Sequence, residues 1–436
     1  MNKIETDILI IGGGAAGMSA AVSASSKNGI KVTIVDDNPI LGGQIWRSEL
    51  GKIKSPEAQK LIEKLEQNKI QIINNTQVFG QLSEKILLAE SKNDVTEFHF
   101  EKLVLATGAR ERFLPFPGWT LPNVFGAGGL QALVKSGFSV ENKRVVVAGT
   151  GALLLAVTEY LKAKGAKVLL IAEQTYASKL FKFGLGLFKQ PSKIFQAVGL
   201  RSKLWNIPYL TDSFIVSAEG EQNLRAVNLN TKGKIKRIEC DFLACGFHLV
   251  PNIELAALLD CKIEKGYVWV DKFQKTSNNS IFCAGEPTGI GGVELSAIEG
   301  QIAGLTAIGE TKKSQSLFSK RQELQQFADL LNETFSLRQE LKNLPDAETI
   351  VCRCEDVTLQ RLQKYNSWRT AKLQTRCGMG ACQGKICGSA VEFLFDWKIE
   401  SVRPPIFPVC LENLANFCFD DVKKHADKTD LADSRG

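Results

Sequence analysis

The chain has 436 residues, 44% apolar and 23% charged, a globular balance that excludes a fibrous, collagenous or wholly disordered protein. At roughly 150 residues per domain, this length predicts two or three domains. The 54 basic and 47 acidic residues leave a net charge of +7, dispersed and without any helix-turn-helix, zinc-finger or RNA-binding signature, so nucleic acid is not an expected partner.

No apolar run reaches the roughly eighteen residues of a membrane span, and the first six residues are a charged lead into a strand, unlike a secretory signal. The reading is therefore a chain that is neither membrane-spanning nor exported. Of the 11 cysteines, Cys352, Cys354, Cys377, Cys382 and Cys387 cluster late in the chain. In an unexported protein such clustering points to metal or redox chemistry and a reducing, cytoplasmic compartment.

In chain order, residues 7–11 read as a strand, Gly12-Gly13-Gly14-Ala15-Ala16-Gly17 as a turn opening a small-residue helix to about Ser26, and 31–35 as a second strand. This is a βαβ unit of the nucleotide-binding kind. Gly12 permits the tight turn, Gly14 lets the backbone approach a pyrophosphate, and Gly17 allows close packing of helix on strand. The helix N-terminus at Ala15 and Ala16 supplies free N–H groups to phosphate. Asp36, or its neighbour Asp37, follows the second strand where a carboxylate can accept from ribose hydroxyls.

A second βαβ start occupies 144–171, with Gly149-Thr150-Gly151 before an apolar helix. Its third glycine position is Leu154, which puts a productive NAD(P) site in doubt; Glu173 remains available to a ribose. Cys240 and Cys245 have C-x₄-C spacing on an apparently continuous strand, 238–245, and read as core thiols, as do Cys261 and Cys283. From Lys312 to Leu344 the composition is polar and helical, and beyond Phe419 the charged tail is expected to be disordered.

Four thiolates on two loops can hold a [2Fe–2S] cluster or Zn²⁺. Cys352 and Cys354 supply one pair. For the other, Cys377 with Cys382 and Cys382 with Cys387 have the same spacing, which leaves the choice open. His99, His248 and His425 are the three histidines, and none lies in a recognisable catalytic motif.

Three further segments carry a resemblance: Gly42-Gly43-Gln44-Ile45-Trp46-Arg47, Ala106-Thr107-Gly108-Ala109-Arg110, and Ile281-Phe282-Cys283-Ala284-Gly285-Glu286 followed by Gly289-Ile290-Gly291-Gly292. With the first glycine motif they resemble the FAD-contacting elements of flavoproteins with two dinucleotide domains. That resemblance implies an α/β fold with two Rossmann-like domains, and an FAD domain built from two separated pieces. Gly43, Gln44, Ala106, Thr107, Gly108, Gly285 and Glu286 are then expected at the cofactor, with the helix after Gly292 aimed at the flavin. Glu286 stands where many relatives have Asp.

The cysteine block, with its Gly-Met-Gly-x-Cys-Gln-Gly-x-x-Cys ending, resembles the bacterioferritin-associated-ferredoxin-like [2Fe–2S] domain. That likeness implies Cys352, Cys354, Cys382 and Cys387 as ligands and Cys377 as the alternative. Together with the ending Val402-Arg403-Pro404-Pro405-Ile406-Phe407-Pro408-Val409, the chain to about residue 415 resembles the large subunits of heteromeric FAD-dependent amine and imino-acid dehydrogenases. This group includes opine oxidase A, hydrogen cyanide synthase B and hydroxyproline or proline dehydrogenase alpha subunits.

The resemblance implies an FAD domain at 1–115 and 271–311 and a second, NAD(P)-type dinucleotide domain at 116–270. A helical linker at 312–348, the [2Fe–2S] domain at 349–405 and a tail at 406–436 complete the chain. It also implies a smaller D-amino-acid-oxidase-like partner subunit with FMN at the interface, a respiratory electron acceptor, and an adenine nucleotide such as ATP held by Gly149 and Gly151 without hydride transfer. The alternative is a free-standing NAD(P)H reductase discharging through the cluster. A cluster-carrying binding protein ranks last. The segment 179–205, where Lys179, Lys182, Lys189, Lys193, Arg201 and Lys203 interleave with Phe181, Phe183, Phe188 and Phe195, is read as a partner-facing or cofactor-covering loop in preference to membrane contact.

Overall fold

The computed structural model describes residues 2–92, 94–187, 199, 201–398 and 402–415. The tail 420–436 and the stretch 188–198 of the Phe- and Lys-rich segment lie outside the described residues. The chain divides into two compact units, one of Met1–Ala109, Pro251–Gln325 and Ser401–Gly436, the other of Arg110–Val250 and Gln326–Glu400. The breaks at 109/110 and 250/251 lie a few to about twenty residues before those read from the sequence, and the cysteine block falls within the second unit.

In the first unit a sheet runs in the order Gln71–Ile73, Val32–Val35, Asn2–Ile11, Val95–Leu105, Ile86–Glu90, Gln77–Ser83. Val32–Val35 is buried throughout and Asn2–Ile11 over its last four residues, because parallel strands with helices on both faces have no solvent side. The late strand Ile281–Cys283 joins the same sheet, pairing Ile281 with Leu103 and Cys283 with Leu105, so the fold is closed by two separated pieces of chain.

The helix Ala15–Ala24 lies against the helix Gly292–Ala307 at a distance only glycine permits. A Cβ on Gly300 would stand 2.1 Å from the Ala16 carbonyl oxygen, and one on Gly304 2.2 Å from that of Ala20. This contact fixes the first glycine loop beside the Gly285–Gly292 loop. Among the described residues no helix is long and apolar enough to cross a membrane.

The second unit has a parallel sheet in the order Tyr209–Leu210, Lys167–Glu173, Arg144–Thr150, Phe242–Phe247, Val124–Gly126, with the helix Ala152–Ala163 after its glycine loop. An antiparallel sheet of Ser213–Gly220, Leu224–Thr231 and Lys234–Glu239 accompanies it. The single strand predicted across 238–245 is thus two strands in two sheets, with Cys240 and Asp241 at the corner. The linker 312–344 is also not one helix. It comprises Thr311–Gln315, Phe318–Thr334 and a 3₁₀ turn Gln339–Asn343, with residues 335–338 in no regular structure. A small separate core of Val351, Val357, Leu362, Trp368, Ala371 and Val391 surrounds Cys352, Cys377 and Cys387.

Candidate functional site

Three glycines of the first motif answer to different demands. A Cβ on Gly12 would lie 2.2 Å from the Ala106 carbonyl oxygen, and one on Gly17 1.8 Å from that of Gly12, so the fold itself requires both. At Gly14 the backbone is extended, with φ −78° and ψ −167°, and a Cβ would meet only Gly43 Cα at 3.8 Å. The protein has room for a side chain there, and the vacant space adjoins the N-terminus of Ala15–Ala24, as a pyrophosphate cradle requires.

Asp36, buried at the end of Val32–Val35, accepts from the Gly13 N–H through Oδ2 and from the Asn38 N–H through Oδ1 at 2.7 Å. Asp37 is exposed and accepts from Asn38 Nδ2 at 2.7 Å. Gly42 and Gly43 both have positive φ, and Gln44 Oε1 accepts from Arg47 at 3.0 Å. Thr107 and Gly108 are held in place by Asn252: its side-chain N–H₂ donates to the Thr107 carbonyl at 2.9 Å, its backbone N–H donates to the Gly108 carbonyl at 3.0 Å, and its own carbonyl accepts from the Thr107 hydroxyl at 2.6 Å.

The Gly285–Gly292 loop carries the most distinctive group. Glu286 Oε1 accepts from the Gly292 N–H at 2.9 Å, at the start of the helix Gly292–Ala307, while Oε2 is shielded from solvent and has no hydrogen-bond partner among the described residues. Burial pushes the carboxyl up to about 7, against the opposing pull of the Gly292 and Gly291 N–H groups. A buried carboxyl oxygen without a partner is costly, and a ligand hydroxyl such as those of a ribityl chain would satisfy it. The residues present therefore fit FAD, both in the room at Gly14 and in the acceptor at Glu286.

Sequence reasoning missed the brace behind this loop. Glu299, buried on Gly292–Ala307, accepts from the Gly285 N–H and the Thr288 hydroxyl, each at 3.0 Å, and pairs with Arg321 at 2.9 Å. Burial pushes its carboxyl up, and the Arg321 guanidinium opposes that. The available signal was a lone acid among small and apolar residues, Ser296-Ala297-Ile298-Glu299-Gly300, where an acid must be buried and therefore paired.

In the second fold, Gly149 has φ 135° and a Cβ there would lie 1.9 Å from the Gly246 carbonyl oxygen. Gly151 also has positive φ, and its N–H donates to Glu173 Oε2 at 2.8 Å. Leu154 is fully buried in the core under the sheet. Cys240 and Cys245 are buried in the other core of this unit, where desolvation pushes Cys240 up to about 12 and Cys245 higher still. They are packing thiols, not a reactive pair.

The cysteine block brings five thiols together. Cys352 ends the strand Ile350–Cys352, and Cys354 lies in the turn before Val357–Thr358. The helix Trp368–Thr375 stops at Arg376, whose left-handed φ of 65° turns the chain into the loop of Cys377 and Cys382; Cys387 opens the helix Cys387–Phe395. The Glu355–Arg376 ion pair at 2.7 Å ties the two loops, and Gly380 packs so closely on Cys354 that a Cβ would lie 2.3 Å from the cysteine's own.

The Sγ atoms of Cys352, Cys377 and Cys387 lie within 4.8 Å of one another, buried. The thiol of Cys382 interacts with those of Cys387 and Cys354. Thiol hydrogen bonds from Cys377 and Cys387 hold Cys352 well below the usual thiol range, and the bond from Cys387 lowers Cys382; in exchange Cys377 and Cys387 are pushed up. Sulfurs this close compete for protons, and such a donor set suits a thiophilic metal centre. The alternative ligand Cys377 is thus central to the packed trio, while Cys354 is exposed and Cys382 half-buried.

A first dinucleotide fold shaped for FAD, with a second fold inserted in its chain, defines an FAD-dependent oxidoreductase. Residues 6–300 match the pyridine nucleotide-disulphide oxidoreductase family, and the chain belongs to it. The hydrogen cyanide synthase subunit HcnB of Pseudomonas protegens is 28% identical over 420 residues, covering 87% of this chain and 89% of that protein. The opine oxidase A subunit of Agrobacterium tumefaciens is 27% identical, covering 94% of this chain and 91% of its own. Among solved structures, the L-proline dehydrogenase from P. horikoshii superposes with a TM-score of 0.71 at 19% identity, over 95% of this chain and 80% of that one.

Proposed function

We propose that this chain is the electron-transferring subunit of a heteromeric dehydrogenase that oxidises an amine, opine or imino-acid substrate and delivers the electrons to a respiratory acceptor. The observation that carries this reading is the five-thiol block, joined in one chain to a fold shaped for FAD. When bound, a flavin accepts two electrons as a hydride and can release them singly, and a [2Fe–2S] centre carries one at a time. The chain's own residues hold and orient these groups: Gly12, Gly14, Gly17, Asp36 and Glu286 for FAD, with Glu299 and Arg321 fixing the Gly285 loop.

Cys352, Cys354, Cys382 and Cys387 are the proposed cluster ligands, with Cys377 beside them. Near-full-length similarity to proteins named as subunits supports a hetero-oligomer, and the partner is a smaller oxidase-like flavoprotein. Its place of work is the cytoplasm.

The purified chain is expected to leave D-amino acids, opines, hydroxyproline, proline and glycine unoxidised with an artificial acceptor, and to gain turnover when the small flavoprotein is added. Turnover by the chain alone would overturn this reading. Iron and sulfide analysis with EPR of the reduced protein tests the cluster. Serine at Cys352, Cys354, Cys382 or Cys387 is expected to abolish the signal and Cys377→Ser to leave it. Loss in Cys377→Ser, with Cys354→Ser or Cys382→Ser silent, would move ligation to the buried trio.

A further inference from the structure

The second dinucleotide fold is covered by its own chain. After the helix Phe318–Thr334, residues 335–340 run across the end of the strand Lys167–Glu173. The Phe335 carbonyl lies 3.3 Å from the Thr150 hydroxyl, and the Ser336 carbonyl accepts from Gln174 Nε2 at 3.1 Å. The Arg338 N–H donates to Gln174 Oε1 at 3.1 Å and its guanidinium to the Gln174 carbonyl at 3.3 Å. That guanidinium also pairs with Asp212, stacks 4.0 Å from the Tyr176 ring centroid, and donates at 3.0 Å to Glu340, which accepts from the Tyr176 hydroxyl at 2.8 Å. Phe335 packs edge-on against Phe183.

Beneath this segment Glu173 and Gln174 are 0% exposed and Thr175 2%. In a dinucleotide fold, the acid after the second strand reads the ribose hydroxyls and the glycine loop faces the pyrophosphate. Here the Glu173 oxygens accept from the Gly151 N–H at 2.8 Å, the Thr150 hydroxyl at 2.8 Å and the Thr175 N–H at 2.9 Å, much as those of Asp36 accept from Gly13 and Asn38 in the first fold; what sets the second fold apart is the segment 335–338 bonded beside its acid. Residues 335–338 bond to Thr150 and Gln174, the groups beside this carboxylate, so a ribose approaching from that side would have to displace them.

We infer that residues 335–340 are a built-in occupant of the ribose subsite of the second fold, and that they set donor specificity by excluding nicotinamide dinucleotides. An adenine nucleotide bound without hydride transfer would compete with the same segment. The inference rests on the dinucleotide geometry of this fold and not on the chain's membership of a heteromeric dehydrogenase, so the two stand or fall by different experiments.

The test uses the FAD-loaded full chain, titrated calorimetrically with NADH, NADPH and ADP-ribose, with hydrogen exchange followed at 335–340. A site open only a fraction of the time binds with its affinity reduced by that fraction, so for a site open no more than about a tenth of the time Arg338→Ala and Tyr176→Ala are expected to bind ADP-ribose at least about tenfold more tightly than wild type. Exchange at 335–340 should rise in both. Faster exchange without any gain in binding would overturn the inference. Should neither variant fold, the wild type decides: no binding, or binding only with faster exchange at 335–340, upholds exclusion, and binding with the segment still protected refutes it.

Discussion

The two dinucleotide folds of this chain share strand, glycine turn, helix and strand, and differ in what each has done with the space in front of the turn. In the first, Gly17 brings the helix onto the strand, Gly14 leaves its surroundings free, and the contacts of Asp36 are local, to Gly13 and Asn38. In the second, Glu173 bonds to its glycine loop as Asp36 does, but Leu154 fills the third position and residues from the far end of the linker bond to Thr150 and Gln174 beside the acid. A glycine pattern therefore specifies the turn, while the freedom of the space it faces is specified elsewhere in the chain.

The most severe way to break this contrast is Gly17→Val, where the new Cβ would lie 1.8 Å from a backbone oxygen with nowhere to retreat. Loss of soluble folded protein is expected, at more than about 4 kcal/mol. Gly14→Val should separate cofactor from fold: the backbone accepts a side chain, so circular dichroism is expected to be retained while flavin absorbance is lost. A Gly14→Val protein that keeps its flavin would show that Gly14 is a turn residue and nothing more.

In the second fold the effect should reverse. Leu154→Ala is expected to cost about 2–5 kcal/mol through the cavity it leaves, with flavin content per folded molecule unchanged, as denaturant titration with absorbance would register.

The smallest effect concerns Glu286 in the cofactor-free chain. Its folded pKa, about 7, exceeds the unfolded value of 4.5, so the folded state holds the extra proton between these values and stability falls as pH rises through that window. Glu286→Gln should flatten the fall, leaving the variant up to about 3 kcal/mol more stable relative to wild type at pH 8 than at pH 4. Parallel stability profiles for the two proteins would show that Oε2 is solvated after all.

Much of the site was legible in the sequence because glycine, cysteine and a strand-terminal acid have few alternative uses at such spacing. Gly12 could be assigned to the tight turn and Gly17 to close helix packing from local chemistry before any coordinates, and the late segment 281–286 to the first domain from the resemblance. Cys240 and Cys245 were read as core thiols, and their burial bears this out although the strand thought to carry them is two. The Phe- and Lys-rich segment was legible only as an interleaving. In its described part, Phe181 is 70% exposed on the helix Ala177–Gly186 while Phe183 turns inward to Phe335, a division that composition does not reveal.

What the sequence determined by itself was the pair of βαβ units and the grouping of five cysteines, carried by residues near one another in the chain or by a periodic pattern; the discontinuous first domain was implied by the resemblance. Only the tertiary structure decided that Glu299 and Arg321 brace the Gly285 loop, that Cys377 sits with Cys352 and Cys387, and that Phe335, Ser336 and Arg338 bond to Thr150 and Gln174. Each of these is a contact in which a buried polar group takes a distant partner because burial leaves it no water. Which distant residue that is depends on how the elements pack, and no local spacing encodes it.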